Sequence, residues 1–128
     1  MKLLLDTHLL LWAASDPDRL SRKARGLIAD PANRLFFSVV SLWEVVIKSA
    51  MGRTDFSVDA QALRLGLVAN DYQELHIRGE HVLAVASLPN RHKDPFDRML
   101  VAQAIAEGLT LLTSDEAVAA YGCPVRGV

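Results

Sequence analysis

With 128 residues, 51% of them hydrophobic, and a formal net charge of −1, the chain fits one domain over residues 1–128 with one sizeable core. That charge excludes attraction of nucleic acid by the molecule as a whole. Any such contact must come from local basic clusters, either Arg91, His92 and Lys93 with Arg98, or Arg22, Lys23 and Arg25, which otherwise read as a solvated helix face. The single Cys123 excludes an internal disulfide or a thiolate metal site and reads as a small packing residue. No apolar run approaches the roughly 18 residues of a membrane span, and MKLLLD is too short and too soon acidic for a secretory signal, so a soluble, cytoplasmic protein is expected.

Leu3, Leu4 and Leu5 form a continuous apolar run that suits a strand buried on both faces and ending at Asp6. A helix follows from Thr7 to about Ala14, stopped by Ser15, Asp16, Pro17 and Asp18, and a second is expected over 21–29. The β-branched and aromatic stretch 35–39 predicts another buried strand. Ser41 is then expected to cap a third helix in a capping box with Glu44, with Glu44 and Lys48 also paired four residues apart. A helix over 58–68, a strand over 72–77 and a helix over 80–87 come next. Asp94 as N-cap and Pro95 at the first helical position announce a helix to Glu107, closed by Gly108. Thr110 to Thr113 is a strand, Asp115 opens a short helix, and 124–128 is a candidate edge strand. This alternation predicts an α/β fold of three layers, a mostly parallel sheet of four to five strands with helices on both faces.

Asp6, Glu44 and Asp115 fall just beyond the first, second and fourth strands or in the helix that follows, and Asp97 lies at the third position of the helix leading into the Thr110 strand. Ligands of open α/β sheets bind outside the carboxyl ends of the strands, where such distant residues converge. Four carboxylates held close repel by roughly 4 kcal/mol per near pair at an effective dielectric of about 20. Mg²⁺ or Mn²⁺ would neutralise them, since no His or Cys set offers a zinc site. Local readings compete. Asp6 and Asp115 also suit plain helix caps, and Asp94 is assigned to a cap. The hydroxyls of Thr7, Thr113 and Ser114 either orient the acids or cap helices. Arg98 would touch phosphate or pair with a carboxylate. His8 and His92 read as loop or helix-end residues, and Trp12 and Trp43 as core.

Four stretches, LLLDTHLLLW, SLWEVVIK, HKDPFDRMLVAQA and LLTSD, resemble PIN domains, and within them the VapC-like toxins, in order and spacing from end to end. The resemblance implies that Asp6, Glu44, Asp97 and Asp115 are metal-binding acids of a Mg²⁺- or Mn²⁺-dependent endoribonuclease. It further implies a homodimer silenced by a cognate VapB-like antitoxin. Asp6, Asp97 and Asp115 would then be the main ligands, with Glu44 binding directly or through water, and Glu44 or Asp115 accepting a proton from the attacking water. The rival readings are a PIN-like module that grips RNA or protein without cutting, and a phosphoacceptor domain. The latter needs a paired Asp near the first strand and a Lys after a late one, which LLLDTH and LLTSD do not supply.

Overall fold

A computed structural model describes residues 1–90 and 94–128; the basic cluster Arg91, His92 and Lys93 lies outside them. Its five strands are β1 (Lys2–Leu5), β2 (Arg34–Ser38), β3 (Gln73–Leu75), β4 (Thr110–Thr113) and β5 (Val125–Gly127). All pair in parallel, in the order β3-β2-β1-β4-β5. The helices are α1 (Thr7–Ser15), α2 (Arg22–Ala29), α3 (Val39–Ala50), α4 (Ala60–Ala69), α5 (Gly79–Val85), α6 (Pro95–Glu107) and α7 (Glu116–Ala119). Short 3-10 turns at Pro17–Arg19 and Thr54–Phe56 join α1 to α2 and α3 to α4.

Period-two alternation divides the core. Leu3 and Leu5 of β1, with Phe37 and Leu112, pack beneath Leu9, Leu10, Ala24, Leu63 and Leu67 of α1, α2 and α4. Leu4, with Leu111, faces the other way onto Leu100, Val101 and Ala104 of α6 and Val118 of α7. The result is the three-layer arrangement expected from the alternation. Leu4 pairs with both Phe36 and Leu111 at the centre of the sheet, where each fully buried leucine contributes roughly 1.5–3 kcal/mol.

The strand order places the switch point of the sheet between β1 and β4. From β1 the chain winds outward to β2 and β3, then returns to add β4 and β5 on the opposite side. Connections therefore leave β1 and β4 in different directions, and a crevice opens at their carboxyl ends.

Four local expectations are corrected. The third helix begins three residues early: Ser38 is its N-cap, accepting a hydrogen bond from the Val40 amide at 3.0 Å. Ser41 and Glu44 thus lie inside α3, and the predicted capping box does not form. Cys123 is exposed rather than packed. Trp43, on the outer side of α3, is 56% exposed and meets only the edge of Phe96, whereas Trp12 is half-buried against the core. The strand expected over 72–77 keeps only its middle three residues. Gly108 does close α6, in the left-handed conformation (φ 68°) that glycine adopts without penalty. Among the described residues no helix is long and apolar enough to cross a membrane.

Candidate metal centre

Asp6 ends β1 and caps α1. One of its oxygens accepts the Leu9 amide at 2.9 Å, and the other accepts the Thr113 hydroxyl at 2.5 Å. That second bond spans the switch point, from the end of β1 to the end of β4. Burial raises the Asp6 carboxyl above the ordinary range, a pull that the Thr113 and Leu9 hydrogen bonds and His8 oppose and the charge of Glu44 reinforces. Folding thus holds a carboxylate in a place that disfavours its charge, a common mark of a functional acid.

Glu44 is one turn further into α3 than its predicted capping role required, and this aims it inward. Its Oε1 accepts the Thr7 hydroxyl at 2.6 Å, and the Thr7 and Ser41 hydroxyls lie 2.9 Å apart. Its Oε2 accepts from Lys48 Nζ at 2.5 Å, the pair expected four residues apart, and Lys48 also reaches Asp94 Oδ2 at 3.3 Å. Burial works against the Lys48 charge, yet the Glu44 hydrogen bond and charge, aided by Asp94, outweigh it and raise the ammonium above its usual value. Both glutamate oxygens are therefore engaged while the side chain is almost wholly buried.

Asp94 caps α6 as expected, with Oδ1 receiving the Phe96 and Asp97 amides at 2.8 and 3.3 Å. Asp97 follows in the first turn of α6, where the helix dipole favours an anion. Asp115 caps α7, accepting the Ala117 amide at 2.8 Å, while its own amide donates to Thr113 Oγ1 at 3.0 Å.

All four predicted acids line one cleft of about 230 Å³, together with Asp94, Thr7, His8, Lys48 and Arg53. Among the described residues of the lining, five carboxylates stand with two lysine or arginine side chains. Arg53 is itself tied to Asp55 by a two-bond fork of 3.0 and 2.8 Å. The donor set is rich in carboxylate oxygens, which suits a hard divalent cation carrying several waters.

Thr7 and Thr113 orient acids, as their positions beside Asp6 and Asp115 suggested. The Arg98 guanidinium donates to the carbonyls of Pro89 and Val85 and to the Tyr121 hydroxyl at 2.9 to 3.1 Å, tying α6 to its neighbours. Lys48 and Arg53 were missed as wall residues. Lys48 carried a signal in its spacing from Glu44; Arg53, beyond the Gly52 turn, carried none. His8, read as a helix-end residue, also lines the cleft.

A second acidic group lies on α5 and α6. Glu80, His81 and Glu107 offer ligand atoms all within 4.8 Å of one another. Buried His81 accepts the Arg78 amide at Nδ1 (3.0 Å), so its proton sits on Nε2 and is donated to Glu107 at 2.9 Å. Arg78 pairs with both Glu80 and Glu107. An ion at Nε2 would have to push that proton to Nδ1, against the Arg78 N–H. This group is already satisfied.

The family model of the PIN domain matches residues 3–122. A curated relative, Ribonuclease VapC22 of Mycobacterium tuberculosis, is 27% identical over 94% of this chain and 92% of its own. Among solved structures, VapBC2 from Rickettsia felis bound to a promoter DNA fragment superposes with a TM-score of 0.68 at 16% identity, covering 99% of this chain and 98% of the other. VapBC-1 from nontypeable Haemophilus influenzae gives 0.67 at 18% identity, with 100% and 97% covered. A toxin-antitoxin complex from Klebsiella pneumoniae gives 0.63 at 22%, with 97% and 95% covered. At these identities the structural likeness speaks to the fold.

Proposed function

We propose, for a chain that belongs to the PIN domain family, that the cleft at the β1/β4 switch point is the active site of a divalent-metal-dependent endoribonuclease, the toxin of a toxin-antitoxin pair. The observation that carries this reading is the meeting of Asp6, Glu44, Asp97 and Asp115 in one cleft from four separate parts of the sequence. The ribonuclease named among the relatives supports RNA as the substrate. The VapBC complexes among the structural neighbours support an antitoxin as the partner. Exposed Trp43 and Val46 on α3 and Met51 at its C-cap fit the homodimer that the family resemblance implies.

Asp6, Asp97 and Asp115 are the proposed holders of Mg²⁺ or Mn²⁺, with Glu44 binding directly or through a water. Bound there, the ion would lower the pKa of a coordinated water and offset charge developing on the leaving oxygen. The protein's own part is positioning. Thr113 fixes Asp6, Thr7 fixes Glu44, and each hydroxyl leaves its carboxylate one preferred direction. Lys48 offsets the Glu44 charge and offers ammonium donors at the wall where a phosphate would enter. Asp115 is the most exposed of the four acids and best placed to pass a proton to bulk water.

The test is cleavage of a labelled RNA with Mg²⁺, with EDTA, and with Asp97→Asn. Metal-dependent cleavage that the substitution removes is expected. Undiminished turnover in EDTA contradicts the reading, and metal-independent binding without cutting favours the non-catalytic module.

A further inference from the structure

A second groove opens from the acidic cleft. It has a volume of about 310 Å³ and is lined by His8, Trp12, Arg19, Asp55, Ser114 and Asp115, so His8 and Asp115 are walls of both spaces. The helix explains the continuity. His8 and Trp12 are four residues apart and share one face of α1, while Asp6 caps the same helix, about 9 Å from Trp12 along the axis. The 3-10 turn after α1 brings Arg19 back over the indole, its guanidinium carbon 4.9 Å from the ring centroid. His8 stands 5.8 Å from Trp12 at a tilt of 37° and 5.0 Å from Phe56.

The charges of this groove are arranged unlike those of the cleft. Asp55 is held by Arg53 through two bonds and by His8 at 3.3 Å, and the Arg53 hydrogen bonds bring its carboxyl down to about 2. Its charge is therefore answered within the protein. Arg19 is exposed and, among the described residues, makes no ion pair. A planar cation that makes no ion pair among the described residues thus lies over an indole, beside a cleft lined by five carboxylates. Aromatic and guanidinium planes are the surfaces on which unpaired bases stack, and free guanidinium donors suit a phosphate.

We propose that this groove is a nucleotide subsite: it seats a base of single-stranded RNA adjoining the scissile bond, stacked on the Trp12 and Arg19 pair and walled by His8, with Arg19 donating to the neighbouring phosphate. The proposal rests on the nuclease reading for which polymer enters and which bond lies next door. It assigns selectivity for unpaired RNA to α1 and the turn after it, separate from the acids.

The chain has two tryptophans, Trp12 and Trp43, so Trp43→Phe leaves Trp12 as the sole indole reporter. Short single-stranded oligoribonucleotides of A, U or C, and the same oligomers carrying an abasic position, are titrated in EDTA at low ionic strength, with Mg²⁺-dependent cleavage measured in parallel. Saturable quenching of Trp12 is expected; by the anisotropy of end-labelled oligomers, which also reads variants without an indole, binding is about tenfold weaker in Arg19→Ala and in Trp12→Leu and largely restored in Trp12→Phe. The abasic oligomer should bind the intact protein as weakly as the normal one binds Trp12→Leu. Arg19 is exposed, so its variant keeps the test decisive if Trp12→Leu fails to fold. RNA cleaved normally while Trp12 stays unquenched and Arg19→Ala binds undiminished overturns the subsite and leaves the nuclease. Quenching without metal-dependent cleavage keeps the subsite and removes the nuclease. No binding at all overturns the subsite.

Discussion

The two acidic groups of this protein are built in opposite ways. At the β1/β4 switch point, carboxylates from four separate segments face a shared cleft in which, among the described residues, they outnumber the lysine and arginine side chains. On α5 and α6, Glu80 and Glu107 are answered by Arg78 and by a histidine whose proton already points at Glu107. The second group has the tighter spacing and looks, by distance alone, the better metal site. Charge balance and tautomer reverse that ranking: a cation is recruited where negative charge is left over.

The sharpest way to break this comparison is to remove one charge from each group. Asp97→Asn is expected to lower Mg²⁺-dependent RNA cleavage by about a thousandfold, while Glu107→Gln leaves it within about twofold, both read from initial rates on one labelled RNA. Equal losses would show that the α5 and α6 group belongs to the chemistry.

Stability should respond the other way round. His81 is fully buried, and Gln103 beside it bonds to Ser38 at 2.6 Å and to the His76 carbonyl at 3.3 Å, locking α5 and α6 to the end of β2. Replacing His81 by Ala leaves a cavity and unpaired polar groups, a cost of about 3 kcal/mol in urea unfolding, with cleavage per folded molecule retained.

A smaller effect of opposite sign is expected at Asp6. Its raised carboxyl means that the folded protein binds this proton more tightly than the unfolded chain does. Stability from Asp6 is thus complete below the ordinary value of 3.8 and declines as pH rises through the folded value. Metal-free Asp6→Asn should therefore melt a few degrees above the parent at neutral pH, with the gain vanishing in acid, and be inactive throughout. Melting curves across pH, in EDTA, measure this. Thr113→Val should have the least effect, about a tenfold higher Mn²⁺ concentration for half-maximal cleavage with the fold kept, because it frees one Asp6 oxygen without removing a carboxylate.

Much of this contrast was legible in the residues, for a physical reason. Asp6, Asp94 and Asp115 all sit at helix N-caps, a position with a strong local signature, and each cap lies by topology at the carboxyl end of the sheet or beside it. Capping does not use up these acids: Asp6 spends one oxygen on the Leu9 amide and turns the other to Thr113. Strands β1, β2 and β4 were readable because burial on both faces leaves continuous apolar runs. What local pattern missed was competition and long-range pairing. Ser38 and Ser41 are both good caps, and Ser38 prevails because β2 ends there, which carries Glu44 from a cap to the cleft wall. Arg53 meets Asp55 only through the turn after α3, and Trp43 has apolar neighbours in sequence yet lies on the outer face of its helix.

Iron(II) substituted for Mg²⁺ and driven with ascorbate cuts the polypeptide beside wherever the ion sits. Mass mapping of the fragments therefore bears directly on which acidic group holds metal. Scission near Asp6, Glu44, Asp97 and Asp115, suppressed by excess Mg²⁺ and absent in Asp97→Asn, is the predicted result. Scission confined to Glu80, His81 and Glu107 would contradict it.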